Sequence, residues 1–184
     1  GKVSITKQAS WLTWITEQLN TANLNILKQA KSTEGQQGMG TTGVLMVIEN
    51  NKCHLGWVGD SRAYTLKSKK LVQETIDHTM LQELVNKGAI SAETAKNANT
   101  KNLLSQAIGV REKISVDTAT IAIESGDTIM LSTDGLHDYL TEEEINHYLS
   151  QFSTEKDVCD DMVNQAIAQN SRDNLTVGLI NLSD

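Results

Sequence analysis

The sequence predicts an α+β fold built as a single domain. Apolar residues recur every three or four positions at the amino end, which is typical of an amphipathic helix, and several short β-branched apolar runs follow. Helical and strand patterns occupy separate stretches instead of alternating strictly, which favours an α+β arrangement. No internal repeat, low-complexity tract or linker divides the 184 residues, so we expect one domain over 1–184. A chain of this length buries roughly 70% of the surface that its unfolded form exposes.

Three segments carry the helical pattern. The first runs from about Val3 to Ala30, and its apolar face is formed by Ile5, Ala9, Leu12, Ile15, Leu19, Leu24 and Leu27. The second begins at Thr141, which stands three residues before Glu144 in a capping-box arrangement. The third covers 156–169 and shows the same three- and four-residue spacing. We expect these helices to pack on a sheet.

Seven short apolar or alternating runs predict strands. They cover 41–49, 52–60, 62–67, 71–74, 115–123, 128–133 and 174–182. Turn residues separate the first four runs, so we expect these four to form an antiparallel meander. A polar stretch from Asp77 to Asn102 contains two short helical patches, and Gly88 is placed to end the first of them. We interpret this stretch as an excursion from the sheet.

Composition and charge argue against several classes of function. A net charge of −7 disfavours nucleic-acid binding, which depends on clustered Lys and Arg. No apolar run approaches the roughly 20 residues that span a bilayer, and the amino end lacks the apolar block of a secretion signal. We therefore expect a cytoplasmic protein without a membrane segment. Cys53 and Cys159 lie far apart without CxxC spacing, which argues against zinc and against a disulfide framework.

Three acids share a pattern, because each lies at the edge of an apolar strand beside a glycine or a small polar residue. Asp60 lies in "WVGDSR", Asp134 in "LSTDGL" and Asp173 in "NSRDNLTV". If neighbouring strands bring these ends together, the carboxylates repel one another unless a cation lies among them. Mg²⁺ and Mn²⁺ prefer such oxygen ligands. Taken singly, an aspartate before glycine is more often a turn residue than a metal ligand, so it is the combination of the three that favours a metal site.

Six motifs in order extend over nearly the whole chain. They are "GMGTT" (38–42), "VGDSRAY" (58–64), "DHT" (77–79), "LLSQAIG" (103–109), "DTIMLSTDGLHD" (127–138) and "RDNLTV" (172–177). As a set they resemble the metal-dependent protein phosphatases of the protein phosphatase 2C family. An unrelated α+β domain with turn aspartates would require all six ordered matches to be accidental.

The resemblance implies a four-layer αββα sandwich, in which two antiparallel sheets are flanked by helices. It also implies a pair of Mg²⁺ or Mn²⁺ ions at one end of the sandwich, with Asp134 and Asp173 as the catalytic metal ligands. Asp60 belongs to a third, weaker metal site, where Asp138 helps through water. Gly135 is expected to leave room there for metal and solvent. The excursion at about 79–102 corresponds to the family's variable flap and is expected to set substrate preference.

The activity implied by the resemblance is hydrolysis of phosphoserine and phosphothreonine in proteins, by attack of a metal-bound water. Phosphorylated proteins are then the substrates, and an opposing serine/threonine kinase system is the expected signalling partner. Neither nucleic acid nor a membrane is expected as a partner. The sequence leaves open the choice between Mg²⁺ and Mn²⁺ and the oligomeric state.

Part of the family pattern is absent from this sequence. The pattern normally begins upstream, with an Arg that holds the phosphate and a glycine-rich "DG" loop whose Asp bridges both metals. We therefore expect the sandwich to lack its amino-terminal strands and this chain as given to be inactive or nearly so. The alternative is a phosphatase-like module that has lost catalysis and serves as a binding or regulatory partner.

The histidines and arginines receive structural roles. His78, in "DHT", is expected to satisfy local backbone groups, and His137 is expected to have a packing or surface role. Arg62 and Arg172 are expected to form ion pairs at the surface or at a sheet edge. None of the four is assigned a catalytic role.

Overall fold

The structure is a computed structural model that describes residues 10–96, 98, 103–153 and 157–182. Its helices are α1 (Trp11–Ser32), α2 (Met80–Asn86), α3 (Ala92–Lys96), α4 (Asp134–His137), α5 (Glu142–Gln151) and α6 (Cys159–Ala168). Its strands are β1 (Gly43–Glu49), β2 (Lys52–Val58), β3 (Arg62–Lys67), β4 (Lys70–Gln73), β5 (Asp117–Ala122), β6 (Thr128–Ser132) and β7 (Val177–Asn181). All seven predicted strands are present, each within a few residues of its expected bounds.

The strands form two antiparallel sheets. One sheet has the order β1-β2-β5 and the other has the order β4-β3-β6-β7. The predicted four-strand meander is therefore wrong, because β2 and β3 follow each other in the chain but lie in different sheets. Local turn signals place β1 beside β2 and β3 beside β4. They do not show that the chain crosses between sheets at 59–61.

The two sheets and their helices form four layers. Ile15 and Leu19 of α1 pack on the outer face of the first sheet. Side chains of β2, β3 and β6 fill the space between the sheets: Cys53, Leu55, Trp57, Ala63 and Ile129. The outer face of the second sheet packs against α5 and α6 through residues such as Met130, Ile145 and Met162. This arrangement confirms the predicted sandwich of two antiparallel sheets flanked by helices.

Successive residues of β2 and β3 point to opposite faces, and both faces are covered. In β2, Leu55 faces the other sheet while Gly56 faces α1, where an added Cβ would lie 2.3 Å from Ile15 Cγ2. Since a helix covers one face and a sheet covers the other, both strands are buried along most of their length. Each fully buried Ile or Leu in these layers stabilises the fold by about 2 kcal/mol.

The helix ends follow the local signals in the sequence. The capping box of Thr141 and Glu144 is present at the start of α5, and Gly88 follows α2 with a φ of +69°. Ser10 caps α1, while the predicted start at Val3 lies outside the described residues. α6 begins at Cys159, and 154–156 also lie outside the described residues. None of the described helices is long and apolar enough to cross a membrane.

Candidate metal site

Asp134 is held at the end of β6 by a buried framework. β6 is almost entirely buried, and the single turn α4 begins directly after it at Asp134. Thr133 pairs with Thr176 across the gap to β7: its N–H donates to Thr176 O at 3.1 Å, and its Oγ1 accepts from Thr176 N at 3.0 Å. The Asp134 carboxylate accepts a hydrogen bond from Gly135 N at 2.8 Å. These contacts fix the direction in which the carboxylate leaves the strand.

Gly135 allows the chain before β7 to approach α4 closely. A Cβ at Gly135 would lie 2.5 Å from the carbonyl oxygen of Asn174 and 3.4 Å from Cβ of Asp173. Ser171 strengthens the contact, because its Oγ donates to Gly135 O at 2.7 Å in a buried position. The prediction that Gly135 leaves room for metal and solvent is therefore wrong. The space beside it is filled by the backbone of Asn174.

This contact brings Asp134 and Asp173 together. Asp173 is exposed, and its Oδ1 accepts from Asn174 N at 2.7 Å. The pKa of Asp134 is raised, first by partial burial and then by the carboxylates of Asp173 and Asp138. The carboxylates of the two predicted ligands are thus close enough for their negative charges to repel each other.

Asp60 lies in the turn between β2 and β3, near Asp134. Only 7% of its surface is exposed. Burial raises its pKa to about 6, and the carboxylates of Asp134, Asp77 and Asp138 add to the increase. We call Asp60, Asp134, Asp138 and Asp173 the acidic rim.

The cation nearest to this turn is already paired. Arg62 forms a bidentate pair with Asp77, in which Nε lies 2.9 Å from Oδ1 and Nη2 lies 2.6 Å from Oδ2. Its Nη1 donates to the hydroxyl of Tyr64 at 3.0 Å. Over the described ranges, no ion pair includes a residue of the acidic rim. The expected ion-pair role of Arg62 is thus observed, and the rim carboxylates are left without a compensating cation.

The ligand set suits a hard divalent cation only in part. No three His, Cys, Asp or Glu side chains within the described residues are arranged to hold a metal ion. Asp134 and Asp173 supply carboxylate oxygens without nitrogen or sulfur, and Mg²⁺ commonly takes one or two carboxylates and fills its remaining positions with water. The rim therefore fits as an incomplete, oxygen-only site for Mg²⁺ or Mn²⁺.

A cavity of about 430 Å³ adjoins the rim. Asp60 and Asp138 lie on one side of it, and residues of α2 and α3, including Gln82, Val85 and Lys96, lie on the other. We call α2 and α3, residues 80–96, the flap. Residues 97 and 99–102 of the predicted excursion lie outside the described residues. The flap thus lies beside the acidic rim, across a space large enough for part of a substrate.

Two histidines near the rim have structural contacts. His137, the last residue of α4, is buried, and its Nδ1 is hydrogen-bonded to Ser132 Oγ at 3.0 Å. Burial, with a smaller contribution from Arg62, lowers its pKa to about 3. Nδ1 of His78 accepts a hydrogen bond from Gly59 N at 3.2 Å, and the backbone N–H of His78 donates to Gly59 O at 2.9 Å. Both agree with the packing and local backbone roles expected from the sequence.

Sequence reasoning missed two contributors to this site. Asp77 forms the pair with Arg62, and Ser171 anchors the chain before β7 to α4. Asp77 is the first residue of the "DHT" motif, and its position in that motif could have indicated a role at the site. Ser171 carried no signal, because a serine before "RDN" is ordinary loop composition.

Comparison with known proteins identifies the family. The family model for protein phosphatase 2C matches residues 2–175, which is most of the chain. The chain belongs to the protein phosphatase 2C family. All six ordered motifs lie wholly or almost wholly within the matched range.

Relatives within the protein phosphatase 2C family include characterised bacterial proteins. The chain is 35% identical over 168 residues to the serine/threonine phosphatase stp of Listeria monocytogenes, covering 91% of this chain and 67% of that protein. The crystal structure of the serine/threonine phosphatase Stp1 from Staphylococcus aureus matches with a TM-score of 0.89 and 27% identity, over 99% of this chain and 72% of that one.

One structural relative in the family was solved with metal. It is the catalytic domain of the serine threonine protein phosphatase PstP in complex with two manganese ions. It matches with a TM-score of 0.83 and 27% identity, over 97% of this chain and 74% of that one. The two folds therefore agree over almost the whole of the chain.

Proposed function

We propose that this chain is a single protein phosphatase 2C domain of a metal-dependent serine/threonine phosphoprotein phosphatase. The observation that supports the proposal is the close contact of Gly135 with Asn174, which brings together the chain segments that carry Asp134 and Asp173, while no ion pair of the described residues includes either carboxylate. The names of the relatives supply the substrate class, phosphoserine and phosphothreonine in proteins. The opposing partner would be a serine/threonine kinase system in the cytoplasm.

Asp134 and Asp173 would hold a pair of Mg²⁺ or Mn²⁺ ions, and Asp60 would hold a third, weaker ion with help from Asp138. The manganese-bound relative supports this choice of metals. When bound, such ions lower the pKa of water and neutralise the charge of a phosphoryl group. The protein positions the carboxylates through its backbone. Gly135 N donates to Asp134, Asn174 N donates to Asp173, and each hydrogen bond restricts the rotation of its carboxylate.

The buried position of Asp60 supports a weaker metal site. Its pKa of about 6 means that protons compete with a cation for this carboxylate near neutral pH. Asp134 is also held closer to the protonated form than a free aspartate. A divalent ion bound at the rim would therefore reduce the repulsion among the rim carboxylates of the metal-free protein.

The experiment is metal-dependent phosphate release by the full-length protein. With Mn²⁺ and either an aryl phosphate or a phosphothreonine peptide, we expect turnover that EDTA abolishes. Asp134→Asn and Asp173→Asn should each lower kcat/KM by about a hundredfold or more, since metal ligation contributes several kcal/mol to the transition state. Asp60→Asn should slow turnover while leaving binding of the first two Mn²⁺ ions largely intact.

A matched control comes from the surface of α6. Asp160→Asn changes an exposed acid far from the rim in sequence and should leave Mn²⁺-dependent turnover unchanged. Activity that survives EDTA, or that survives Asp134→Asn, would contradict the proposal.

A second candidate function is a phosphatase-like binding or regulatory module. It is favoured by the absence, within the described residues, of three potential ligands arranged around one metal position. This candidate predicts that the full-length protein binds a phosphorylated protein without releasing phosphate at any Mn²⁺ concentration. Calorimetric titration with Mn²⁺ separates the two, because only the enzyme requires saturable binding of two ions.

A further inference from the structure

His78 contacts both backbone groups of the residue before Asp60. The N–H of Gly59 donates to His78 Nδ1 at 3.2 Å, and the N–H of His78 donates to Gly59 O at 2.9 Å. Gly59 has a φ of +104°, and an added Cβ would lie 2.4 Å from Thr42 Cγ2. Gly59 is therefore held between Thr42 and His78, and the peptide that leads into Asp60 has little freedom.

The ring of His78 is oriented by further contacts. Because a backbone N–H can only donate, Nδ1 must be an acceptor, and the proton of the neutral ring lies on Nε2. Nε2 lies 3.4 Å from Oδ2 of Asp117, at the start of β5. The ring also stacks against Trp57, with ring centroids 6.4 Å apart, and Trp57 Nε1 donates to Ile76 O at 2.9 Å. The acceptor nitrogen is thereby aimed at Gly59.

The same short segment forms the base of the flap. Ser105 N donates to His78 O at 2.9 Å, and Thr79 Oγ1 caps α2 by accepting from Gln82 N. On the other side, Asp77 is paired with Arg62 at the start of β3. His78 is thus the point where the turn that carries Asp60 is joined to the segment that begins the flap.

We infer that His78 is a positioning residue that places the Asp60 carboxylate in the acidic rim by fixing both backbone groups of Gly59. The inference rests on the proposed function only in the role given to Asp60 as a metal ligand. His78 itself touches neither metal nor substrate. The hydrogen bond from Gly59 N to His78 Nδ1 sets the direction in which the turn holds Asp60 relative to Asp134. Through this contact His78 sets the affinity of the weaker metal site.

Two substitutions separate the parts of the His78 ring. In His78→Asn, Oδ1 stands as far along the side chain as Nδ1 and can accept from Gly59 N, but the side chain does not reach Asp117. In His78→Gln, the amide stands one atom farther out, near the position of Nε2, so it reaches Asp117 and leaves Gly59 N unpaired. Both variants lose the stack on Trp57. His54→Gln is the control, because His54 contacts Thr120 on the first sheet.

The first readout is amide hydrogen exchange at Gly59 in the metal-free full-length protein, followed by NMR. We expect exchange in His78→Gln to be about tenfold faster than in wild type, since one backbone hydrogen bond is lost. His78→Asn and His54→Gln should stay within about threefold of wild type. Equal exchange in the Asn and Gln variants would overturn the inference.

The second readout is the Mn²⁺ concentration that gives half-maximal release of phosphate from an aryl phosphate. For His78→Gln we expect this concentration to rise about tenfold, with kcat at saturating Mn²⁺ changed less than about threefold. His78→Asn should restore the wild-type Mn²⁺ dependence. A role in stability alone predicts equal losses in thermal stability for both variants and no difference in Mn²⁺ dependence, and that result would also overturn the inference.

Asp60→Asn distinguishes failure of this inference from failure of the proposed function. If Asp60→Asn leaves the Mn²⁺ dependence unchanged, the metal role of Asp60 is wrong, and exchange at Gly59 alone decides the positioning role. If Asp60→Asn shifts the Mn²⁺ dependence and His78→Gln does not, the metal role of Asp60 stands and the positioning role of His78 is rejected.

Discussion

The flap lines the same cavity as two residues of the acidic rim, Asp60 and Asp138, but the rim and the flap are attached to the sandwich in different ways. Asp134 and Asp60 follow buried strands, and the backbone beside them is held by buried or partly buried hydrogen bonds. The flap helices contain no buried residues. The rim, which is proposed to hold metal, is thus built on the core, whereas the flap, which is proposed to contact the substrate, is built on the surface.

This difference has a physical basis in local stability. A segment with few buried apolar contacts opens at a low free-energy cost, whereas a core strand opens only with the whole domain. Changes in the flap are therefore expected to leave the fold undisturbed. Changes at the rim alter the fold and the site together. The next three predictions test this contrast, beginning with the largest expected effect.

Gly135→Ala should disrupt the rim and the fold at once. The new Cβ would lie 2.5 Å from the backbone oxygen of Asn174, so α4 and the chain before β7 must separate. We expect a loss of about 2–3 kcal/mol in the free energy of unfolding, measured by urea denaturation. Displacement of Asp173 relative to Asp134 should also lower Mn²⁺-dependent turnover by about a hundredfold.

Gly178→Ala is the control for this substitution. Gly178 lies in β7 near the same rim, and an added Cβ there has no atom within 4 Å. Its stability should stay within about 0.5 kcal/mol of wild type. If Gly135→Ala behaves like Gly178→Ala, the close approach of α4 and Asn174 is not what holds the rim.

Acid should destabilise the fold around α4 through His137, the last residue of this helix. Its folded pKa is about 3 and its ordinary value is 6.5, so the unfolded chain takes up the proton first as the pH falls. The stability that neutral His137 provides is complete above pH 6.5 and is lost progressively down to about pH 3. This residue alone should cost about 2 kcal/mol between pH 7 and pH 5.

His137→Gln isolates this contribution, because glutamine retains a hydrogen-bonding group for Ser132 but has no proton to gain. The difference between wild type and variant in the pH dependence of unfolding removes the effect of other titrating groups. Parallel stability curves for the two proteins between pH 7 and pH 5 would show that His137 does not titrate as its burial requires.

Gly88→Ala should have the smallest effect and should affect only the flap. Gly88 ends α2 with a φ of +69°, a conformation that costs a non-glycine residue about 1 kcal/mol, although an added Cβ meets no atom within 4 Å. We expect amide exchange in α2 to accelerate about fivefold while the global free energy of unfolding changes by less than about 0.5 kcal/mol. A loss of global stability as large as that of Gly135→Ala would mean that the flap is part of the core.

The sequence predicted the elements of the fold well because their signals are local. Alternation and β-branched runs located the strands, and Thr141 with Glu144 located the start of α5. The acids were found because each lies near the end or the start of a strand, and their motifs indicated the family. By contrast, the expected meander failed because the same turn residues are compatible with a hairpin and with a crossing between sheets.

The ordered motifs proposed Asp60, Asp134 and Asp173 as one site, which stays a prediction, but they did not predict the backbone contacts around these residues. That Gly135 accommodates the backbone of Asn174, and that His78 holds Gly59, did not follow, since these partners are 39 and 19 positions apart in the chain. A local sequence pattern does not identify a contact between residues that are distant in the chain.

The amino-acid sequence by itself determined which segments become helices and strands, where several of them begin or end, and which carboxylates stand at strand ends. The tertiary structure alone decided how seven strands divide between two sheets, and which backbones meet closely enough to bring the acids to one rim. The reason is that periodicity and capping depend on neighbours within one or two turns of the chain. Strand partners and close backbone contacts are selected by the joint burial of residues that are distant in sequence.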